Sequence, residues 1–376
     1  HTGKVVITFD EPVPVAGQPV RGDLDADAAY LVTGGLGGFG AATARHLVAR
    51  GARHLVLIGR RGLDTPGASE LVADLRALGA RVEAHAADAA APAAISGVLA
   101  GLDASGRRLA GVVHAAMVLH DAPLVDLTDD RLRAVLAPKL TAGHLLDRLT
   151  RDRELDFFVV YSSVASCVGN ILQAPYVAAN AALEALVRDR RRSGLPGLAV
   201  QWGGIGDTGY VHRTGRTEEL GRLFDVMPVA EALRELDDLL DRPDVEVVVV
   251  GDIHWDRMAR FLPAFASPRT AAVLSTEQDT AADRLRDALA EADHAEAHAL
   301  IEDALTELLA RVLQTSPDRV DRGRRLDQLG VDSLMAAEFT TAVNRSLGCH
   351  VAVVEMVGAP SVTALAQRLH SRLGRS

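Results

Sequence analysis

Four side chains in the middle of the chain are of types that move protons to and from a carbonyl. Ser162 and Ser163 close an apolar run, Leu155–Tyr161, that reads as a strand. Tyr176 follows Ser163 by 13 residues, and Asn180 follows Tyr176 by four, which puts Tyr176 and Asn180 on one face of a helix spanning about 175–192. A tyrosine hydroxyl can donate a proton to a developing alkoxide, and a serine hydroxyl can bond and orient the carbonyl. A lysine ammonium nearby would lower the tyrosine pKa and could hold a ribose. Tyr-x-x-x-Lys spacing would put it at position 180, where the chain has Asn180. Taken singly, these residues also read as a capping serine and a half-buried tyrosine.

A second group could bind a dinucleotide. Thr33-Gly34-Gly35-Leu36-Gly37-Gly38-Phe39-Gly40 lies between a short apolar strand, Tyr30–Val32, and a helical stretch reaching about Arg50. It contains G-x-G-x-x-G at Gly35, Gly37 and Gly40. Glycines permit the tight turn and let the backbone approach a pyrophosphate, and the helix N-terminus offers unpaired N–H groups. The plainer reading is a glycine turn for close helix–strand packing. Where an NAD site usually has an acid, at the end of the second strand (His54–Ile58), the chain has Arg60 and Arg61. Two guanidiniums suit a 2′-phosphate and favour NADPH, although surface arginines are ordinary. Asp88 could bond the adenine or simply hold a turn. His114 and Ala115, closing the strand Ala110–Ala115, complete the candidate cofactor contacts.

The elements around these residues alternate. Strands at about 81–84, 110–115, 155–161, 198–202 and 245–250 follow the first two. Helices are expected at about 69–78, 129–150 and 175–192. Such alternation implies a parallel sheet with helices on both faces, and near-continuous apolar strands fit burial on both sides. The predicted class is therefore α/β, a Rossmann-like doubly wound sheet, followed by a small all-α unit. Gly203–Val229, rich in glycine with a helical patch around Glu218–Phe224, is the expected lid or an ordinary loop. Residues 277–296 carry seven acidic and two basic residues and read as an exposed helix or linker. Helices then follow at 300–312, from about Asp332, and at 361–373. Ser333 sits at the start of the second, where a phosphodiester is favoured. There Asp332 or Ser333 could equally be a plain cap.

Composition bounds the rest. The chain has 376 residues, 48% hydrophobic and 24% charged, with a formal net charge of −10. This excludes wholesale disorder and argues against nonspecific nucleic-acid binding. Two cysteines, Cys167 and Cys349, give neither a disulfide framework nor metal-ligand spacing. No uncharged apolar run reaches the ~18 residues that cross a bilayer, and no signal-peptide pattern is present. The expectation is a cytoplasmic, metal-free protein without membrane or nucleic-acid partners.

The stretch from about Tyr30 to Pro268 resembles the ketoreductase of type I modular polyketide synthases, a branch of the short-chain dehydrogenase/reductase family. The resemblance rests on VTGGLGGFG at 32–40, SSVAS at 162–166 and PYVAANAALEAL at 175–186. In that branch lysine and asparagine exchange places, and the lysine lies upstream in P-K-x-x-x-G, here Pro138-Lys139-Leu140-Thr141-Ala142-Gly143. The resemblance therefore implies Ser163, Tyr176, Asn180 and Lys139 as the catalytic set. B-type members, which give the D (usually 3R) hydroxyl, carry Leu-Asp-Asp after the fourth strand. The chain has Leu119-His120-Asp121 there, and Val168 where the opposite type has Trp. These features lean towards B-type.

LGVDSLMAAE at 329–338 resembles the acyl carrier motif, which implies 4′-phosphopantetheine on Ser333, added by a phosphopantetheinyl transferase. HTGKVVITFDEP at 1–12 resembles the end of an enoylreductase. The implied division is 1–22 enoylreductase tail and linker, 23–270 ketoreductase catalytic half, 271–296 linker, and 297–376 carrier. The chain reads as a C-terminal piece of a multienzyme. Its partners would be the acyl thioester on its own carrier, the structural half of the ketoreductase, and ketosynthase, acyltransferase, dehydratase and enoylreductase domains. The expected reaction is reduction of a 3-oxoacyl thioester by NADPH. A type I fatty acid synthase, a redox-inactive scaffold, or a plain helical interaction module in place of the carrier are the other readings.

Overall fold

The computed structural model describes residues 23–207, 224–242, 244–255 and 280–373. The tail 1–22, with the expected strand at 4–9, lies outside the described residues. So do residues 208–223, most of the expected lid.

The apolar runs form the expected sheet. Its strands are β1 (Ala29–Thr33), β2 (His54–Gly59), β3 (Arg81–Ala86), β4 (Leu109–His114), β5 (Phe157–Ser163), β6 (Leu198–Trp202) and β8 (Val247–Val250). They pair in parallel in the order β3-β2-β1-β4-β5-β6-β8, while the short β7 (Phe224–Asp225) and β9 (Asp252–Ile253) pair antiparallel. Crossovers run outward in both directions from β1 and β4. The crevice at their carboxyl ends is where such sheets bind dinucleotides.

Alternate side chains of each strand feed two cores. Tyr30, Val32, Leu55, Leu57 and Val200 pack under α1 (Gly38–Ala49), α2 (Ala68–Ala77) and α8 (Val229–Leu240). Leu31, Val56, Ile58, Val112, Phe158 and Val160 pack under α3 (Pro92–Ala104), α5 (Ala142–Thr150) and α7 (Ala174–Arg192). Each fully buried aliphatic side chain contributes about 1.5–3 kcal/mol. These contacts fix α7, which carries Tyr176, against β5, which ends in Ser163.

One expected helix is broken. Residues 129–150 form α4 (Asp129–Leu136), a π-helical turn (Ala137–Thr141) and α5 rather than one continuous helix. Pro138 lacks the N–H that a continuous α-helix would use, so the wider turn takes up the defect. Helices α3 and α8 and two short ones, at 165–168 and 353–357, were not expected from the sequence. The short α6 (Ala165–Val168) links β5 towards α7.

The acidic stretch also differs from expectation. It contains α9 (Thr280–Glu291), whose Leu285 and Leu289 pack against the core of the C-terminal unit. The next helix, α10 (His294–Val312), begins three residues before position 297, and Asp293 and Glu296 form a capping box at its start. With α11 (Ser333–Leu347), α12 (Val353–Val357) and α13 (Val362–Leu373), these helices enclose Leu305, Leu309, Phe339, Val343, Met356 and Leu369. No helix among the described residues is long and apolar enough to cross a membrane.

Candidate active site

The glycine turn is built by steric demand. Gly34 and Gly38 have φ of +71° and +53°, a region that disfavours any side chain. A Cβ on Gly40 would lie 2.3 Å from the Gly34 carbonyl oxygen, so α1 can pack on the turn only as glycine. A Cβ on Gly37 would meet only Thr65 Cγ2, at 3.6 Å, which leaves its outer side open. Gly37 caps α1, whose first turn holds no acid and whose cap makes no side-chain bond. The cradle therefore fits a pyrophosphate, with free N–H groups at a positive helix end. Leu36 is buried and packs beside Gly59, and the Phe39 ring packs on Tyr161 and Trp202. Both side chains pack into the core, so a cofactor contact from either residue would come from its backbone.

Arg60 and Arg61 directly follow β2 and are exposed, and no ion pair engages either among the described residues. They are available for an anion. Asp88 accepts from the Ala90 N–H at 2.9 Å, so it holds the turn after β3. The His114 ring is buried and fully engaged: Thr33 Oγ1 lies 2.7 Å from Nδ1, and Nε2 is 2.8 Å from the Lys139 carbonyl. A carbonyl only accepts, so Nε2 carries the proton and Thr33 donates to Nδ1. Burial lowers the His114 pKa to about 4 and keeps it neutral. His114 thus holds the turn that bears Lys139, and a cofactor contact from it would fall to its backbone. Ala115 N–H donates to the Thr33 carbonyl, and the Ala115–Ala116 backbone crowds Gly34.

Lys139 sits on the π-helical turn, 2% exposed. Its Nζ donates to the Tyr161 carbonyl at 2.5 Å and lies 5.3 Å from the centroid of the Tyr176 ring. Burial lowers its pKa to about 7, and the charge of Glu184 works against that shift. Gly143, at the end of the same motif, lets α7 approach: a Cβ there would lie 2.3 Å from Leu183 Cδ2. Only two of the 40 basic residues are lysines, Lys4 and Lys139. That scarcity is a signal for Lys139, because arginine carries nearly every other positive charge.

Tyr176 is half-buried near the start of α7, one turn before Asn180. Burial raises its pKa, and the nearby Asn180 amide and Ser163 hydroxyl pull it partly back. Ser163 closes β5, and its Oγ accepts from the Ala165 N–H at 3.2 Å. Asn180 is fully buried, and neither of its amide atoms has a hydrogen-bond partner among the described residues. Such orphaned atoms are costly unless water or a ligand completes them. The four residues proposed from the sequence thus meet at the carboxyl end of β5.

In the C-terminal unit Ser333 is the first helical residue of α11. The cap is Asp332, whose Oδ1 accepts from the Met335 N–H at 2.7 Å. The capping role is therefore filled by the neighbour of Ser333.

Residues 28–207 match the KR domain family, and residues 303–369 match the phosphopantetheine attachment site family. The chain is 36% identical to the mycoketide-CoA synthase of Mycobacterium tuberculosis, over 99% of the chain and 9% of that protein. It is also 36% identical to polyketide synthase GfsB of Streptomyces halstedii, over 98% of the chain and 7% of that protein. A solved structure of A-type ketoreductases from a modular polyketide synthase aligns at 42% identity and a TM-score of 0.62, covering 69% of this chain and 54% of that one.

The chain joins a ketoreductase domain to a phosphopantetheine carrier domain, and so fits a segment of a type I polyketide synthase. It spans less than a tenth of the length of those two synthases.

Around the ketoreductase cleft, the loop bearing Leu119, His120 and Asp121 is tied to the loop before α7. Gln173 Nε2 donates to Asp121 Oδ1 at 3.0 Å, and the Ala122 N–H donates to the Leu172 carbonyl at 2.9 Å. Gln173 was missed in the sequence, although its place three residues before Tyr176 was there to read. Glu184 was missed as well. It is buried on α7, and its Oε1 accepts from Ser162 Oγ at 2.5 Å, from Gln201 Nε2 at 2.9 Å and from Ser166 Oγ. Its spacing from Asn180, four residues, was the available signal.

Proposed function

We propose that the ketoreductase domain reduces a 3-oxoacyl thioester to a 3-hydroxyacyl thioester with NADPH, on a substrate carried by phosphopantetheine at Ser333. The observation that carries this reading is the convergence of Lys139, Tyr176, Ser163 and Asn180 beside an open glycine cradle. NADPH is favoured over NADH by Arg60 and Arg61, which stand free where a 2′-phosphate would lie. When bound, the nicotinamide supplies the hydride. The remaining work falls to the chain. Ser163 bonds and orients the carbonyl oxygen, and Tyr176 Oη donates the proton to it. The Lys139 ammonium favours release of that proton, and the Asn180 amide holds a water that resupplies it.

For the hydroxyl, Leu119-His120-Asp121 and Val168 favour the B-type product. The 42% identity to A-type ketoreductases favours the opposite configuration. Chiral analysis of the reduced thioester decides between them. The reductase reading is tested by NADPH oxidation with a soluble 3-oxoacyl pantetheine thioester. Wild type should turn over, and Tyr176→Phe should lose about 10²–10⁴ in rate. Cofactor binding by wild type without turnover would instead favour a scaffold role. The segment fits a cytoplasmic synthase whose other domains extend and process the same acyl chain.

A further inference from the structure

We infer that Glu184 is a positioning residue for this reduction, acting as a buried strut behind Ser163 and Tyr176 and as the counter-charge of Lys139. The inference rests on the reductase reading above and adds a residue to it. Tyr176, Asn180 and Glu184 follow one another at four-residue intervals and so form a stripe along one face of α7. Glu184 is 6% exposed. A carboxylate so placed is costly unless donors satisfy it.

Its donors come from three elements. Ser162 lies on β5, Ser166 on α6 and Gln201 on β6. Ser162 is the residue before Ser163, and Ser166 Oγ is also 2.7 Å from the Ser163 carbonyl. Gln201 Nε2 further donates to Ser166 Oγ at 2.9 Å. The carboxylate oxygen thereby braces the strand end through Ser162, and the single Ser166 hydroxyl hydrogen, shared between Glu184 and the Ser163 carbonyl, ties its other side. Charge-assisted bonds of this kind are about twice as strong as neutral ones.

The second role is electrostatic. The Lys139 ammonium meets the Tyr161 carbonyl of β5 and the Tyr176 ring of α7, while the neutral His114 ring of β4 bonds the Lys139 backbone carbonyl. Lys139 Nζ donates to the carbonyl of Tyr161, and Glu184 accepts from the hydroxyl of the next residue, Ser162. Ammonium and carboxylate are thus tied to consecutive residues of β5, and the carboxylate charge favours the protonated lysine. Glu184 itself accepts from Ser162, Ser166 and Gln201. Removing the carboxylate leaves Lys139 with a carbonyl and a ring, which bind the ammonium but do not balance it.

The test uses the two-lysine composition of the 376-residue chain. Lysine labelled with ¹³C at Cε in a Lys4→Arg background gives one signal, that of Lys139, whose shift against pH reports its titration. In Glu184→Gln the midpoint should fall by roughly half a pH unit or more, as loss of a nearby opposite charge requires. Glu184→Asp should restore it in part. Ser166→Ala leaves the carboxylate in place and should leave the midpoint where it is. The falling alkaline limb of kcat/KM for NADPH-dependent reduction should move to lower pH with the midpoint in Glu184→Gln. An unmoved midpoint in Glu184→Gln overturns the proposal. So does a loss of activity that is uniform across pH and tracks a lowered melting temperature. A wild type that titrates normally but oxidises no NADPH condemns the reductase reading instead, because the Lys139 signal needs no turnover.

Discussion

Lys139 Nζ lies over the face of the Tyr176 ring, 5.3 Å from its centroid, while hydrogen-bonded to the Tyr161 carbonyl of β5. The ammonium is therefore held by backbone and π density, and the phenolic oxygen feels its field through the ring. With the Lys139 pKa lowered to about 7 by burial, this field is present at low pH and fades as pH rises through 7. The rate of reduction should fall across that range, and Lys139→Met should be slow and flat there. Steady-state rates from pH 5.5 to 9 check this. Stability follows the same group. Between about pH 7 and the ordinary lysine value of 10.5 the unfolded chain binds a proton that the folded chain does not. Stability from Lys139 thus rises with pH in that window, and the slope should vanish in Lys139→Met.

Gly37 and Gly40 should separate binding from folding. Gly40→Ala places a Cβ 2.3 Å from the Gly34 carbonyl and should melt well below wild type. In Gly37→Ala the nearest atom is 3.6 Å away, so its melting temperature should stay near that of wild type while its NADPH affinity falls at least about tenfold. Calorimetric titration beside thermal melts distinguishes the two effects.

His114→Leu should cost about 1–3 kcal/mol, because it leaves the Thr33 hydroxyl and the Lys139 carbonyl unpaired. The folded pKa of His114 is depressed to about 4 from 6.5, so the unfolded state binds the extra proton between those values. Its stability contribution is lost as pH falls through that window, and the variant should lack this acid sensitivity. Denaturant melts at pH 5 and pH 7.5 measure both terms.

In the carrier domain, Ser333→Ala should abolish loading of a phosphopantetheine arm while leaving the melting curve nearly unchanged, because Asp332 supplies the cap. Asp332→Ala should lose about 1 kcal/mol of stability. Intact-protein mass after incubation with a phosphopantetheinyl transferase and coenzyme A reads the first, and thermal melts read the second.

The strands were legible because β-branched runs buried on both faces have no other use, and Leu198–Trp202 lies where the sequence puts it. Helix α3 was missed although Ile95, Val98, Leu99 and Leu102 fall at i, i+3, i+4 and i+7, because its alanines and its glycines at 97 and 101 blur the contrast with the other face. The π-helical turn was hidden inside a stretch whose periodicity reads as one helix, and only Pro138 marks it. Ser163, Tyr176 and Asn180 stood out through type and spacing, and Lys139 came from the family motif. Glu184 did not, because an acid on a helix is usually solvated, and only the packing of α7 on β5 and β6 makes this one interior.

The near absence of lysine has a consequence for acyl chemistry. Neutral amines attack thioesters, whereas guanidinium groups stay protonated and do not. A thioester drawn to the Tyr176 cleft would meet one amine among the described residues, that of Lys139. Its nitrogen is turned towards a backbone carbonyl and beneath an aromatic ring. Under the proposed reduction, an acyl group in this cleft would thus face one buried amine already engaged by backbone and ring, and arginines that cannot form an amide with it.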